Sequence, residues 1–158
     1  MSIIVYAESW EGKFRKSTYE AVSYAKNMSE ILQQEVKSIS VGDISEEELK
    51  KLGIYGSSSV ESYPNISKSD GKSVAEIIKE HAQNSKFIVF SNTFNAKSIA
   101  PRVSAKLKAG IITNIISKLE IMPCVFIKAI LLATPLIPSM LNKLEPKIAP
   151  KIIFPCPL

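Results

Sequence analysis

Few residues of this 158-residue chain are placed to do chemistry. His81 is its single histidine, and it shares a helical stripe with Val74, Ile77 and Ile78, so a packed or half-exposed helix residue is the expected role rather than a catalytic base. No G-x-S-x-G elbow, no G-x-G-x-x-G run and no Walker-type phosphate loop occurs; Gly12-Lys13 and Gly71-Lys72 are isolated pairs in turns. Asp43, Glu46, Glu47 and Glu48 read as the acidic start of a helix, where they complement the helix dipole, in preference to a metal site. Trp10 offers a ring that either stacks on a ligand or caps the sheet edge. Ser91, Asn92 and Thr93 are small polar residues suited to hydrogen-bonding a ligand. No catalytic, cofactor-binding or metal-ligating set emerges from these residues.

The elements that must position them follow an α/β alternation. Ile3 to Ala7 is an apolar strand, Ser17 to Gln34 carries Ala21, Ala25, Met28 and Leu32 on one helical face, and Val36 to Val41 alternates into a second strand. Glu46 to Leu52 reads as a short helix and Ser58 to Tyr63 as a third strand ended by Pro64. Val74, Ile77, Ile78 and His81 mark another helix before the buried strand Phe87-Ile88-Val89-Phe90. That strand ends at Ser91–Thr93, where open α/β sheets place their binding crevice. A helix capped by Ser98 is expected next, with Pro101 in its first turn, an apolar stripe of Ile99, Val103 and Leu107, and Gly110 as its stop. Such alternation predicts an open, doubly wound, mainly parallel sheet.

Composition divides the chain at Ser117. Residues 1–117 form one α/β domain, whereas residues 118–158 hold seven of the nine prolines and no glycine, so an irregular tail is expected there. Three readings of the tail stay open: a coding frame shifted near Ile116, a genuine extension packing on the domain, or a membrane segment over Ile121 to Leu141. Lys128 and three prolines argue against the last.

The net charge of +5 belongs mostly to the tail. Fifteen basic residues face thirteen acidic ones up to Ser117, and five face two after it. A nearly balanced domain with no basic stripe interleaved with aromatics gives nucleic acid no footing. Lys97, Arg102, Lys106 and Lys108 are the one local basic cluster, read either as a solvated helix face or as an electrostatic docking edge. Both cysteines, Cys124 and Cys156, fall in the tail, which suits a reducing compartment, and no signal-peptide pattern opens the chain; a cytoplasmic location is expected.

Three motifs in order resemble the alpha subunit of electron transfer flavoproteins. Ile3-Ile4-Val5-Tyr6-Ala7-Glu8 with Gly12-Lys13-Phe14 resembles the family's first strand and turn. Leu52-Gly53-Ile54-Tyr55-Gly56 is similar to its leucine-glycine-x-tyrosine-glycine loop. Ser91, Thr93, Lys97, Ala100, Pro101, Arg102, Ala109 and Gly110 match its serine-x-threonine and alanine-proline-arginine run. The likeness covers about residues 1–114, with Ala96 where the family usually has glycine and Asn114 where aspartate is common. It implies a Rossmann-like fold of the adenine-nucleotide alpha-hydrolase type. It further implies a subunit-assembly role beside a beta subunit, and electron transfer from dehydrogenases through the assembled complex by FAD bound elsewhere. Ser91, Thr93, Lys97, Pro101, Arg102 and Gly110 would be structural or subunit-contact residues. The second alpha-subunit domain, which supplies most contacts to FAD, is not recognisable after Asn114, so no cofactor is expected for this chain alone. It would then be a truncated or partial, non-enzymatic alpha subunit. The related beta subunit holds AMP in a comparable fold, which the alpha domain is not expected to do. The alternative is a stand-alone adenine-nucleotide-binding domain resembling universal-stress proteins, against which the missing glycine-rich phosphate loop counts.

Overall fold

The computed structural model describes residues 1–115 and 129–133. Strand β1 (Ser2–Tyr6) runs into a small antiparallel hairpin, β2 (Ser9–Trp10) and β3 (Lys13–Phe14), before helix α1 (Lys16–Leu32). There follow β4 (Glu35–Val41), α2 (Glu46–Ile54), β5 (Ser59–Tyr63), α3 (Gly71–His81), β6 (Ser85–Ser91), α4 (Phe94–Leu107), β7 (Gly110–Ile115) and β8 (Ala129–Ala133). Six strands make one sheet in the order β5-β4-β1-β6-β8-β7, and every pairing in it is parallel.

Both faces of the sheet are covered, as parallel strands require. On one face Ile4, Tyr6, Ile39, Ile88 and Phe90 meet Val74, Ile78, Ile99 and Val103 from α3 and α4. On the other, Ile3, Val5, Val36, Phe87 and Val89 meet Ala21, Val22, Ala25 and Met28 of α1 and Leu52 of α2. Neighbouring residues of each central strand therefore serve opposite cores, which explains why those strands read as unbroken apolar runs. Buried serines in β4 find partners: Ser40 Oγ donates to the Ala7 carbonyl at 3.1 Å, and the Ser38 and Ser57 hydroxyls lie 2.7 Å apart.

Three expectations about α4 are corrected. Its cap is Thr93, whose Oγ1 accepts from the Ala96 N–H at 3.1 Å, whereas Ser98 lies inside the helix and donates to the Asn95 carbonyl. Starting at Phe94 brings Ala96 into the core beside Ile99, Ala100 and Val103, which a start at Ser98 would forfeit. Pro101 consequently stands in the helix interior, on an exposed turn where water can serve the Lys97 carbonyl that the proline leaves without a donor. The stop is Lys108 in the left-handed region at φ 52°, ψ 45°, and Gly110 instead opens β7.

The segment expected to be irregular from residue 118 onward contributes β8. Ala129-Ile130-Leu131-Leu132-Ala133 is a proline-free apolar run between Pro123 and Pro135, and it pairs with β6 on one side and β7 on the other. The rest of that segment, with Cys124, Cys156 and Lys128, lies outside the described residues, as do most of the positions in the membrane reading. Among the described residues no helix is long and apolar enough to cross a membrane.

Candidate functional site

At the carboxyl ends of β1 and β6 the chain leaves the sheet toward opposite faces, to α1 from β1 and to α4 from β6. This is the topological switch point at which open α/β sheets hold ligands. A cavity of about 360 Å³ opens there, lined among others by Glu8, Trp10, Arg15, Thr18, Thr93 and Asn95. A second, of about 270 Å³, lies beside it over the ends of β4 and β5, lined by Ser9, Gly42, Asp43, Asn65 and Lys68 among others.

Glu8 is the centre of the larger cavity. It lies two residues past β1, is only 9% exposed, and its carboxylate accepts from the Thr93 hydroxyl and, at 2.8 Å, from the Asn95 side-chain amide. Its carbonyl accepts from the Thr18 hydroxyl at 2.8 Å, so one residue ties the starts of both α1 and α4 to the end of β1. A negative group at the start of α4 is favoured by the helix dipole, and α4 has no acidic residue in its own first turn.

Trp10 stands on the hairpin above the cavity, 47% exposed, with the Arg15 guanidinium 4.4 Å and the Lys68 ammonium 5.1 Å from its ring centroid. The ring is thus engaged by cations at the crevice rim. Arg15 is the residue ahead of α1 and leaves that helix without a side-chain cap. Phe94, the first residue of α4, projects 89% exposed beside the same cavity.

The motif residues do not converge on one point. Ser91 is fully buried at the end of β6, its hydroxyl without a partner among the described residues, and its carbonyl accepts from the Thr93 N–H at 2.8 Å. Thr93 caps α4 at the cavity. Lys97, Pro101 and Arg102 are exposed along α4, Arg102 reaching toward Gly71 at the start of α3, and Gly110 lies at the far end of that helix. Glu8 and Asn95, which do meet in the crevice, carry no local signal beyond following a buried strand and a helix cap.

His81 sits elsewhere. Its Nε2 hydrogen-bonds the Tyr63 hydroxyl and lies 3.2 Å from a Glu61 carboxylate oxygen, joining α3 to β5. Burial, and then the nearby Glu61 charge, push the Tyr63 phenol above its ordinary value. The Glu46–Glu48 run forms the first turn of α2, capped by Ser45, which accepts from the Glu48 N–H at 3.4 Å. A hydrogen bond from Lys51 leads the effects that hold Glu48 below the ordinary carboxylate value. Among the described residues no His, Cys, Asp and Glu group could hold a metal ion.

A family model described as the electron transfer flavoprotein domain matches residues 3–131, beyond Asn114 and into β8. No curated protein matches the chain. Among solved structures, a universal stress protein crystallised in complex with cAMP is similar over 66% of this chain and 91% of its own, at 14% identity and a TM-score of 0.39.

Proposed function

This chain belongs to the electron transfer flavoprotein domain family, and on that premise we propose that it is the amino-terminal domain of an alpha subunit, acting in subunit assembly and holding no catalytic residues of its own. The observation that carries this reading is the family match across residues 3–131, supported by two motifs that resemble those of the alpha subunit: the alanine-proline-arginine run at Ala100–Arg102 and the loop Leu52–Gly56. Support for a contact role comes from α4, where Lys97, Pro101 and Arg102 face solvent and Phe94 projects at the helix start. An exposed aromatic with flanking cations is the composition of an interface anchor. The partner is the family's beta subunit in a heterodimer, and dehydrogenases are met through the assembled complex. A cytoplasmic location accompanies this reading, since the first 123 residues hold no cysteine.

FAD in the assembled protein is bound elsewhere. The crevice does not fit it: the buried charged side chain there is the Glu8 carboxylate, placed at the helix start that a flavin diphosphate would need.

The test is reconstitution. The full chain mixed with a family beta subunit at micromolar concentration should co-elute with it in size-exclusion chromatography. Separate elution of two folded proteins would overturn the assignment.

A further inference from the structure

The crevice of this domain has the form of an anion site and holds an anion of its own. The Thr93 hydroxyl and the Asn95 amide, at the first turn of α4, both donate to the Glu8 carboxylate. Thr93 is meanwhile held in place by accepting from the Ala96 N–H. Ser17 and Thr18, at the start of α1, line the same cavity, and neither α1 nor α4 places an acidic residue in its first turn. Arg15 stands at the rim. Donors, two helix starts and a cation around a switch-point cavity are what a phosphate requires. The negative charge they receive is delivered by Glu8, two residues past the end of β1.

We propose that Glu8 is an intramolecular occupant of this anion site, and that it closes the crevice of this domain to phosphate-bearing ligands. The carboxylate shields the site in two ways. Its two oxygens use the donors of Thr93 and Asn95, and its charge, only 9% exposed, repels a second anion brought to the same donors. The volume remaining above it, about 360 Å³, is enough for a small ligand, so repulsion and the loss of donors exclude anions rather than lack of room. Removing the carboxylate exposes the same donors to solvent and leaves space that an external phosphate can enter.

The experiment follows thermal unfolding of the full chain and of Glu8→Ala in sodium phosphate and in sodium chloride at matched ionic strength. The variant should gain a saturable rise in Tm with inorganic phosphate, about 5–10 °C at a concentration a hundred times its Kd, while the wild-type chain responds equally to both salts. Glu8→Gln, which removes the charge but keeps one acceptor oxygen for the Thr93 and Asn95 donors, should respond more than wild type and less than Glu8→Ala. Should Glu8→Ala fail to refold in chloride, its recovery in phosphate is the same result read as yield. Equal behaviour of Glu8→Ala in the two salts, folded or unfolded, overturns the proposal, as does a phosphate response of equal size in the wild type.

Discussion

The Glu76 carboxylate of α3 accepts hydrogen bonds from Lys106 of α4 and from Lys79 of its own helix, so one side chain links the two helices that cover the same face of the sheet. The hydrogen bond from Lys106, then that from Lys79, hold Glu76 down at about 2, against an ordinary 4.5. A carboxylate whose pKa is lower folded than unfolded contributes stability that is fully present above about 4.5 and is lost as pH falls toward 2. Glu76→Gln should therefore be less stable than wild type at pH 7 and converge with it near pH 2 in urea unfolding series. The gap at pH 7 should be small, because solvent screens the pair. A gap that is unchanged at pH 2 would show that the charge is not its source.

Thr93 serves α4 and the crevice at once. Thr93→Val removes the acceptor of the Ala96 N–H and the donor to Glu8, and should destabilise the chain by about 1–3 kcal/mol. Thr93→Ser keeps the hydroxyl and should recover most of the loss. Urea midpoints with unchanged m-values would check both, and equal losses in Ser and Val variants would refute the hydroxyl's role.

Gly56 lies in the loop after α2 at φ +112°, and a Cβ there would meet Lys26 Cγ at 2.5 Å and Lys26 Cβ at 2.7 Å. Gly56→Ala should lower stability by about 1–3 kcal/mol, from backbone strain and from the displaced Lys26. Gly53, whose added Cβ would meet nothing within 4 Å, is the control: Gly53→Ala in α2 should be neutral or slightly stabilising.

Pro101 interrupts the hydrogen-bond ladder of α4 on an exposed turn. Pro101→Ala restores the donor to the Lys97 carbonyl and should raise stability by about 1–3 kcal/mol. A lower midpoint in the alanine variant would mean that the ring's packing outweighs the missing bond.

Phe94 tests the proposed assembly role separately from folding. Being 89% exposed, Phe94→Ala should change stability by less than about 0.5 kcal/mol and weaken association with the beta subunit roughly tenfold or more. Unaltered affinity, measured by calorimetry on the folded variant, would remove Phe94 from the contact.

Much of this architecture was legible from local patterns. Ala21, Ala25 and Met28 recur at the helical period and do line the buried face of α1, and Val74, Ile77 and Ile78 do the same for α3. The start of α4 was not legible, because Thr93 and Ser98 are both competent caps and the preference of proline for a first turn favours the wrong one. Burial of Ala96 against the sheet decides between them. His81 fell on its expected stripe, yet its neighbours Glu61 and Tyr63 come from β5, a strand apart in sequence from α3.

The sequence by itself determined the alternation of the main strands and helices up to α4 and which of their residues are apolar, since both depend on residues a few positions apart. Only the tertiary structure decided that β8 inserts between β6 and β7, and that Glu8 reaches Thr93 and Asn95 across 85 and 87 residues. Strand order and long-range hydrogen bonds are set by which edges meet when the two cores close, and no periodicity along the chain encodes that choice.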